Sequence, residues 1–159
     1  MANKPPKITS HRIGDQKAAL DRMRGISDFD QEAVMLITLS ADWRIIREHI
    51  ISIGGFHETA LPLQVLFERV LSDKARFFLI GHNHTNGVGV PSAADIACCI
   101  RMMVIANIMD VGFIDSVIYP HGMEPLSMKS YYPNLFRRDY EGMFDEFIMK
   151  YIPKRAREV

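Results

Sequence analysis

Two histidines one residue apart, His82 and His84, and a carboxylate eleven residues after the second, Asp95, are the side chains whose spacing most suggests chemistry. The text from 82 to 95 reads HNHTNGVGVPSAAD. Alternate positions on a strand point the same way, so two imidazoles in an x-separated pair can meet at one point in space. They follow a short apolar run at 76–81 (RFFLIG), and the end of a buried strand is where open α/β sheets collect ligands. Two neutral imidazoles and one carboxylate form a three-ligand set for Zn²⁺ that leaves the fourth position to water. A structural zinc normally closes its shell with four protein ligands, so three point to a catalytic ion. A plainer origin fits the same residues. Ser92-x-x-Asp95 ahead of an apolar run is an N-terminal helix-capping signature, and Pro91, Gly87 and Gly89 suit an ordinary loop. On these residues alone both readings stand.

The elements that must hold these side chains can be read from periodicity. A polar, proline-containing opening at 1–14 is expected to be a loose arm, followed by a helix over 15–24 (DQKAALDRMR). The stretch 26–31 reads as polar and turn-like. Strands are expected over 33–39 (AVMLITL) and 43–53 (WRIIREHIISI), with the turn SAD between them and Gly54-Gly55 as a break. Next come a helix over 61–71 with Pro62 in its first turn, a buried strand over 76–81, and a long, largely buried helix over 93–110. Strands over 112–119 and near 124–128 follow. A final helix over 139–151 gathers Tyr140, Met143, Phe144, Phe147, Ile148 and Tyr151 on one face, which packs either on its own domain or on a second copy as a homodimer contact. This order predicts one α/β sandwich with a mixed sheet flanked by helices.

The bulk numbers bound the function. A chain of 159 residues can bury a single core, and 48% apolar with 24% charged residues is ordinary for a globular protein. Nineteen basic and nineteen acidic side chains cancel, which argues against DNA as a partner, and the basic cluster at 150–157 reads as a solvated tail. No apolar run approaches the roughly 20 residues that span a bilayer, and no signal segment follows Met1. Cys98 and Cys99 are the only cysteines and lack zinc-finger spacing, so they read as small core residues in a reduced, cytoplasmic setting.

The literal string HNH is not the nuclease motif of that name, whose residues lie far apart in sequence. The wider spacing is more specific. His-x-His, seven residues, then Ser-x-x-Asp resembles the signature of the JAB/MPN-type (JAMM) metalloproteases, and HNH-x-x-G-x-x-x-PS-x-x-D is closer still to the RadC-like branch. The resemblance extends over about 32–127: Leu39-Ser40-Ala41-Asp42 with Ile45-Ile46, the bend Ile53-Gly54-Gly55, and Asp110-x-x-Phe113-Ile114-Asp115 with Val117-Ile118 are similar to that branch, as is Ser127.

What the resemblance implies is a RadC-like JAB domain over 15–135 with a deaminase-like α/β sandwich fold, and a C-terminal helical extension at 136–159. It implies zinc on His82, His84 and Asp95, Glu32 as the general base, with Glu58 and Glu68 as fallbacks, and Ser92 as an oxyanion donor. The implied reaction is hydrolysis of a peptide or isopeptide amide in a peptide or protein substrate. Two other classes stay open, a binding module that keeps the fold without turnover and a DNA-repair accessory protein. The chain departs from the branch in three places. Thr85-Asn86-Gly87 stands where Pro-Ser-Gly is usual, Pro62-Leu63-Gln64 where Pro-Arg-Glu is usual, and nothing before Glu32 is long enough for a helix-hairpin-helix module. His57 and His121, both beside turn residues, are expected to lie outside the ligand set.

Overall fold

A computed structural model describes residues 16–54, 61–137 and 140–152; the expected arm at 1–14, His57 and Glu58 lie outside the described residues. Five strands form one mixed sheet: β1 (Ala33–Leu39), β2 (Ile45–Ile53), β3 (Phe77–His84), β4 (Gly112–Pro120) and β5 (Leu126–Ser127), in the spatial order β2-β1-β3-β4-β5. Only β3 and β4 run parallel; the other neighbouring pairs are antiparallel. A parallel pair needs a crossover, and α3 (Ala93–Ile108) supplies it.

Strand alternation sorts the side chains into two cores. One face of the sheet carries Ala33, Ile37, Leu39, Leu79, Val117 and Tyr119. Onto it pack Met23, the end of α1 (Gln16–Met23), and Ile26 of the 3-10 helix that follows, Arg24–Asp28. The opposite face carries Val34, Leu36, Phe78 and Ile80, covered by Leu66, Phe67 and Val70 of α2 (Leu63–Ser72) and by Met102 and Ala106 of α3. Layers on both faces of one sheet make the α/β architecture that the element order predicts.

Most elements form where their patterns place them, and the differences have physical causes. Segment 26–31 is not simply a turn: Ile26 is fully buried and draws the chain into a 3-10 helix beneath the sheet. The strand expected over 76–81 continues through His84, because Val34 to Leu39 pair with it as far as His82 and β4 as far as His84. Helix α3 buries one side only, through Cys99, Met102, Met103 and Ala106, since a sheet can cover a single face of it. Pro62 stands at the N-cap of α2 rather than inside its first turn. Beyond β5 the chain makes two short helices, α4 (Met128–Tyr131) and α5 (Pro133–Phe136), which periodicity does not reveal at four residues each. The last helix, α6 (Tyr140–Tyr151), lies against α3 and leaves Phe147, Ile148, Met149 and Tyr151 exposed. Among the described residues no helix is long and apolar enough to cross a membrane.

A buried carboxylate ties α2 to the sheet. Asp73, at the end of α2, accepts hydrogen bonds from Thr38 Oγ1 at 2.7 Å and from His49 Nε2 at 2.6 Å. Removing it would leave the fully buried Thr38 hydroxyl only its longer contact to the Arg47 carbonyl, at 3.2 Å, and His49 without its carboxylate partner. An unsatisfied buried donor costs about 1–3 kcal/mol. Asp73→Ala should therefore lower the unfolding free energy by up to about that much, read as a lower urea midpoint, while metal content stays unchanged, and an unchanged midpoint would show that the cluster contributes nothing.

Candidate metal centre

On β3 the even positions 78, 80, 82 and 84 share the face covered by α2 and α3, so His82 and His84 continue the stripe of Phe78 and Ile80 up to the strand's end. Asp95 arrives from the other side, in the first turn of α3. The three side chains are 9%, 12% and 13% exposed, and their donor atoms converge. His82 Nε2 lies 3.1 Å from His84 Nε2 and 3.1 Å from Asp95 Oδ1, and His84 Nε2 lies 3.4 Å from Asp95 Oδ2. Ligand atoms around a tetrahedral ion bonded at about 2.0–2.1 Å stand about 3.3–3.4 Å apart. The donor set therefore fits an ion of that size. It is the one group of three or more His, Cys, Asp or Glu side chains among the described residues that could hold a metal.

His84 and Asp95 are each oriented by a partner outside the trio. His84 Nδ1 donates to the Val88 carbonyl at 2.9 Å, which leaves the Nε2 lone pair for the ion. The Gly87 N–H donates to the His84 carbonyl at 3.3 Å, and Gly87 takes a positive φ of 70°, so the loop folds back to bring Val88 within reach. Asp95 Oδ2 accepts from the Ser92 N–H and the Ser92 hydroxyl, both at 2.7 Å, while Ser92 Oγ accepts from the Asp95 N–H at 3.1 Å. That is a complete capping box. The two readings of Ser92-x-x-Asp95 are thus not rivals: the cap holds the carboxylate rigid, and its other oxygen faces His82.

The charges respond to one another. The hydrogen bond that His84 donates to Asp95 is the main cause that raises the His84 pKa above its ordinary 6.5, with burial opposing it and the Val88 carbonyl and Glu32 adding to it. Burial pushes the Asp95 carboxyl up, but the hydrogen bonds from His82 and His84 outweigh it and hold the group far below the usual carboxylate range. Cys98, where α3 forms part of the cavity wall, is pushed up to about 11 by burial, so it stands as a thiol and not as a nucleophilic thiolate at neutral pH. Cys99 is fully buried, as the sequence predicts for a core residue.

The triad opens into a cavity of about 630 Å³ whose lining includes Glu32, Ser92 and the apolar Val34, Leu61, Ile80 and Met102. Glu32 is half-buried there. Its place follows from the register: Val34 pairs with His82, and one step of two further along sets Glu32 across from His84. Ser92 also reaches the cavity, with its hydroxyl hydrogen directed at Asp95. Glu68 is exposed on α2 and is not part of the lining. His121 is exposed in a turn and meets the site only through its backbone N–H, which donates to the His84 carbonyl at 3.0 Å. Two contributors escape the sequence reading. The Val88 carbonyl carries no side-chain signal at all, and Asn83, whose buried amide bonds residues 29–33, is hidden by its neighbours, although a polar residue inside an apolar strand is a signal that could have found it.

Comparison with known proteins bears on most of the chain. The family model of the RadC-like JAB domain matches residues 13–132. A UPF0758 protein of Gloeothece citriformis is 31% identical over 93 residues, covering 58% of this chain and 38% of its own length. UPF0758 proteins of Acidithiobacillus ferrooxidans and Syntrophomonas wolfei are each 28% identical over 104 and 103 residues, 65% of this chain and 46% and 43% of theirs. The chain spans less than half the length of these curated relatives.

The coupled charges set a pH dependence. Without metal, the raised His84 adds stability that is full below its ordinary 6.5 and lost as pH rises through its raised value. The depressed Asp95 adds stability that is present above its ordinary 3.8 and lost as pH falls. The two contributions overlap between 3.8 and 6.5. A metal must displace the His84 proton, so affinity for a divalent ion should fall as pH drops through the raised His84 value, while the metal-free protein gains from the pair. Chelator competition across that range checks this, and a pH-independent affinity would contradict it.

Proposed function

Because the chain belongs to the RadC-like JAB domain family, we propose that it is a zinc-dependent hydrolase acting on a peptide or isopeptide amide. The observation that carries the proposal is the convergence of two imidazole Nε2 atoms and one carboxylate at 3.1–3.4 Å, beside a half-buried glutamate in one cavity. His82, His84 and Asp95 would hold the ion, and zinc bound there supplies a lowered pKa, toward about 7, for a coordinated water.

The remaining work falls to the chain. Glu32 accepts the proton of the attacking water and returns it to the leaving amine. Its position across from His84 supports that role, as does the Gly54 N–H, which donates to the Glu32 carbonyl at 2.6 Å and steadies the backbone. Ser92 would donate to the developing oxyanion. Its hydrogen bond to Asp95 must be given up for that, so its donation belongs to the substrate-bound state. The apolar walls from Val34, Leu61, Ile80 and Met102 suit the nonpolar part of a peptide and keep water away from the charged end.

Ligand and base fail differently. Asp95→Ala deletes a charged donor, so the purified protein should be zinc-depleted and inactive. Glu32→Gln keeps shape and ligands, so it should retain zinc while turnover falls about 10²–10⁴-fold. Metal analysis and mass-spectrometric detection of new termini in a peptide pool read both variants. Full turnover by Glu32→Gln would end the base assignment and leave the ligand assignment standing.

We also propose that a second copy docks on α6, where Phe147 and Tyr151 are exposed and their rings stand 5.0 Å apart. Phe147→Asp together with Tyr151→Asp should convert a dimer into a folded monomer by light scattering. A parent protein that is monomeric at every concentration would sink this reading.

A further inference from the structure

Asn83 stands between the two histidines on β3, and strand alternation turns its side chain to the opposite face of the sheet. It is 2% exposed there. Its Oδ1 accepts from the Ala33 N–H at 2.6 Å, and its Nδ2 donates to the Phe29 carbonyl at 3.2 Å and the Gln31 carbonyl at 3.1 Å. All three partners belong to residues 29–33, and they bracket Glu32 on both sides. The chain there rises from the 3-10 helix on one face of the sheet to the start of β1, before the β1–β3 ladder takes hold at Val34. Asn83 extends the tie between the two strands back from Val34 over residues 29–33.

We propose that Asn83 is a positioning residue: it sets the distance between Glu32 and the His82–His84 pair by clamping the backbone of 29–33 to the strand that carries both histidines. The inference rests on the reading of Glu32 as the base. Chemistry explains why the residue is an amide. The clamp needs one acceptor and two donors at once, which Asn supplies from a side chain with two torsions. A serine has one donor. An aspartate offers no donor when ionised and would set its charge against the Phe29 and Gln31 carbonyls. One residue thus ties base to ligands, since its own backbone carries the ligands while its side chain carries the base's segment. Misplacing a catalytic group by about 1 Å can cost about 100-fold in rate.

The test uses the zinc-loaded full chain with Asn83→Ala and the near-isosteric Asn83→Asp, read by metal analysis, amide hydrogen exchange and turnover. Zinc content should match the parent protein, exchange should rise in the peptide spanning 29–36, and turnover should fall about 100-fold with KM unchanged. In a Glu32→Gln background, Asn83→Ala should cause no further loss, because both changes act through the same proton transfer. A buried asparagine that serves stability alone would instead give additive losses. Additive losses, unchanged exchange in 29–36, or loss of zinc or fold in both variants would overturn the proposal while leaving Glu32 as base. If the parent protein cleaves no peptide, the hydrolase reading fails by itself, and the exchange and metal measurements still decide whether Asn83 clamps this segment.

Discussion

The antiparallel ladder between β1 and β3 is the constraint on which the candidate site stands. It pairs Val34 with His82 and, through the two-residue repeat, brings Glu32 to the neighbourhood of His84. A slip of one residue would send Glu32 to the α1 face and leave the histidines facing an apolar residue, because every side chain would change sides. The slip is resisted from both faces at once. Val34, Leu36, Phe78 and Ile80 are buried on one side, and Ala33, Ile37, Leu39 and Leu79 on the other. The same apolar burial that stabilises the sheet therefore fixes the chemistry at its end.

The third ligand enters by a different device. Asp95 is on α3, and a helix can shift along its axis more easily than a paired strand can slip. The capping box removes that freedom: one carboxylate oxygen is held by the Ser92 N–H and hydroxyl, and the other faces His82. The cap satisfies backbone donors that would otherwise be unpaired at the helix N-terminus, and the positive end of α3 favours the same negative charge. Helix start and ligand placement thus share one set of bonds. Burial alone would raise the Asp95 carboxyl, and the hydrogen bonds from the imidazoles and from Ser92 reverse that shift.

The thiols show how burial silences a reactive group in the same cavity. Cys98 lies on the wall of α3 but is held as a thiol, with Arg101 only partly opposing the effect of burial. What stands ionised at the candidate metal position is Asp95, and Glu32 lines the same cavity. Of the departures of this chain from its family, Thr85-Asn86 and Leu63-Gln64, none falls in the His82–His84–Asp95 set and Asn86 alone lines the cavity. Asn86 lines the cavity and accepts from the Val88 N–H at 3.0 Å, so it shapes the loop that orients His84.

From the sequence alone, the α/β class, the strand at 33–39, the crossover helix and the ligand trio were legible, because each is written in local periods: two for strands, three to four for helices, and His-x-His with Ser-x-x-Asp for the donors. The cap was legible too, although as a rival to the metal site. Only the folded chain made them one device, since hydrogen bonding to a helix N-terminus and facing an imidazole are compatible only when α3 starts at the end of β3. The burial of Ile26, the extension of β3 through His84 and the role of Asn83 were not readable, for a common reason. Each depends on partners far along the chain: Ile26 on the sheet above it, His84 on β4, and Asn83 on residues 50 to 54 positions away. Local pattern states which way a side chain points, and tertiary contact decides what it meets there.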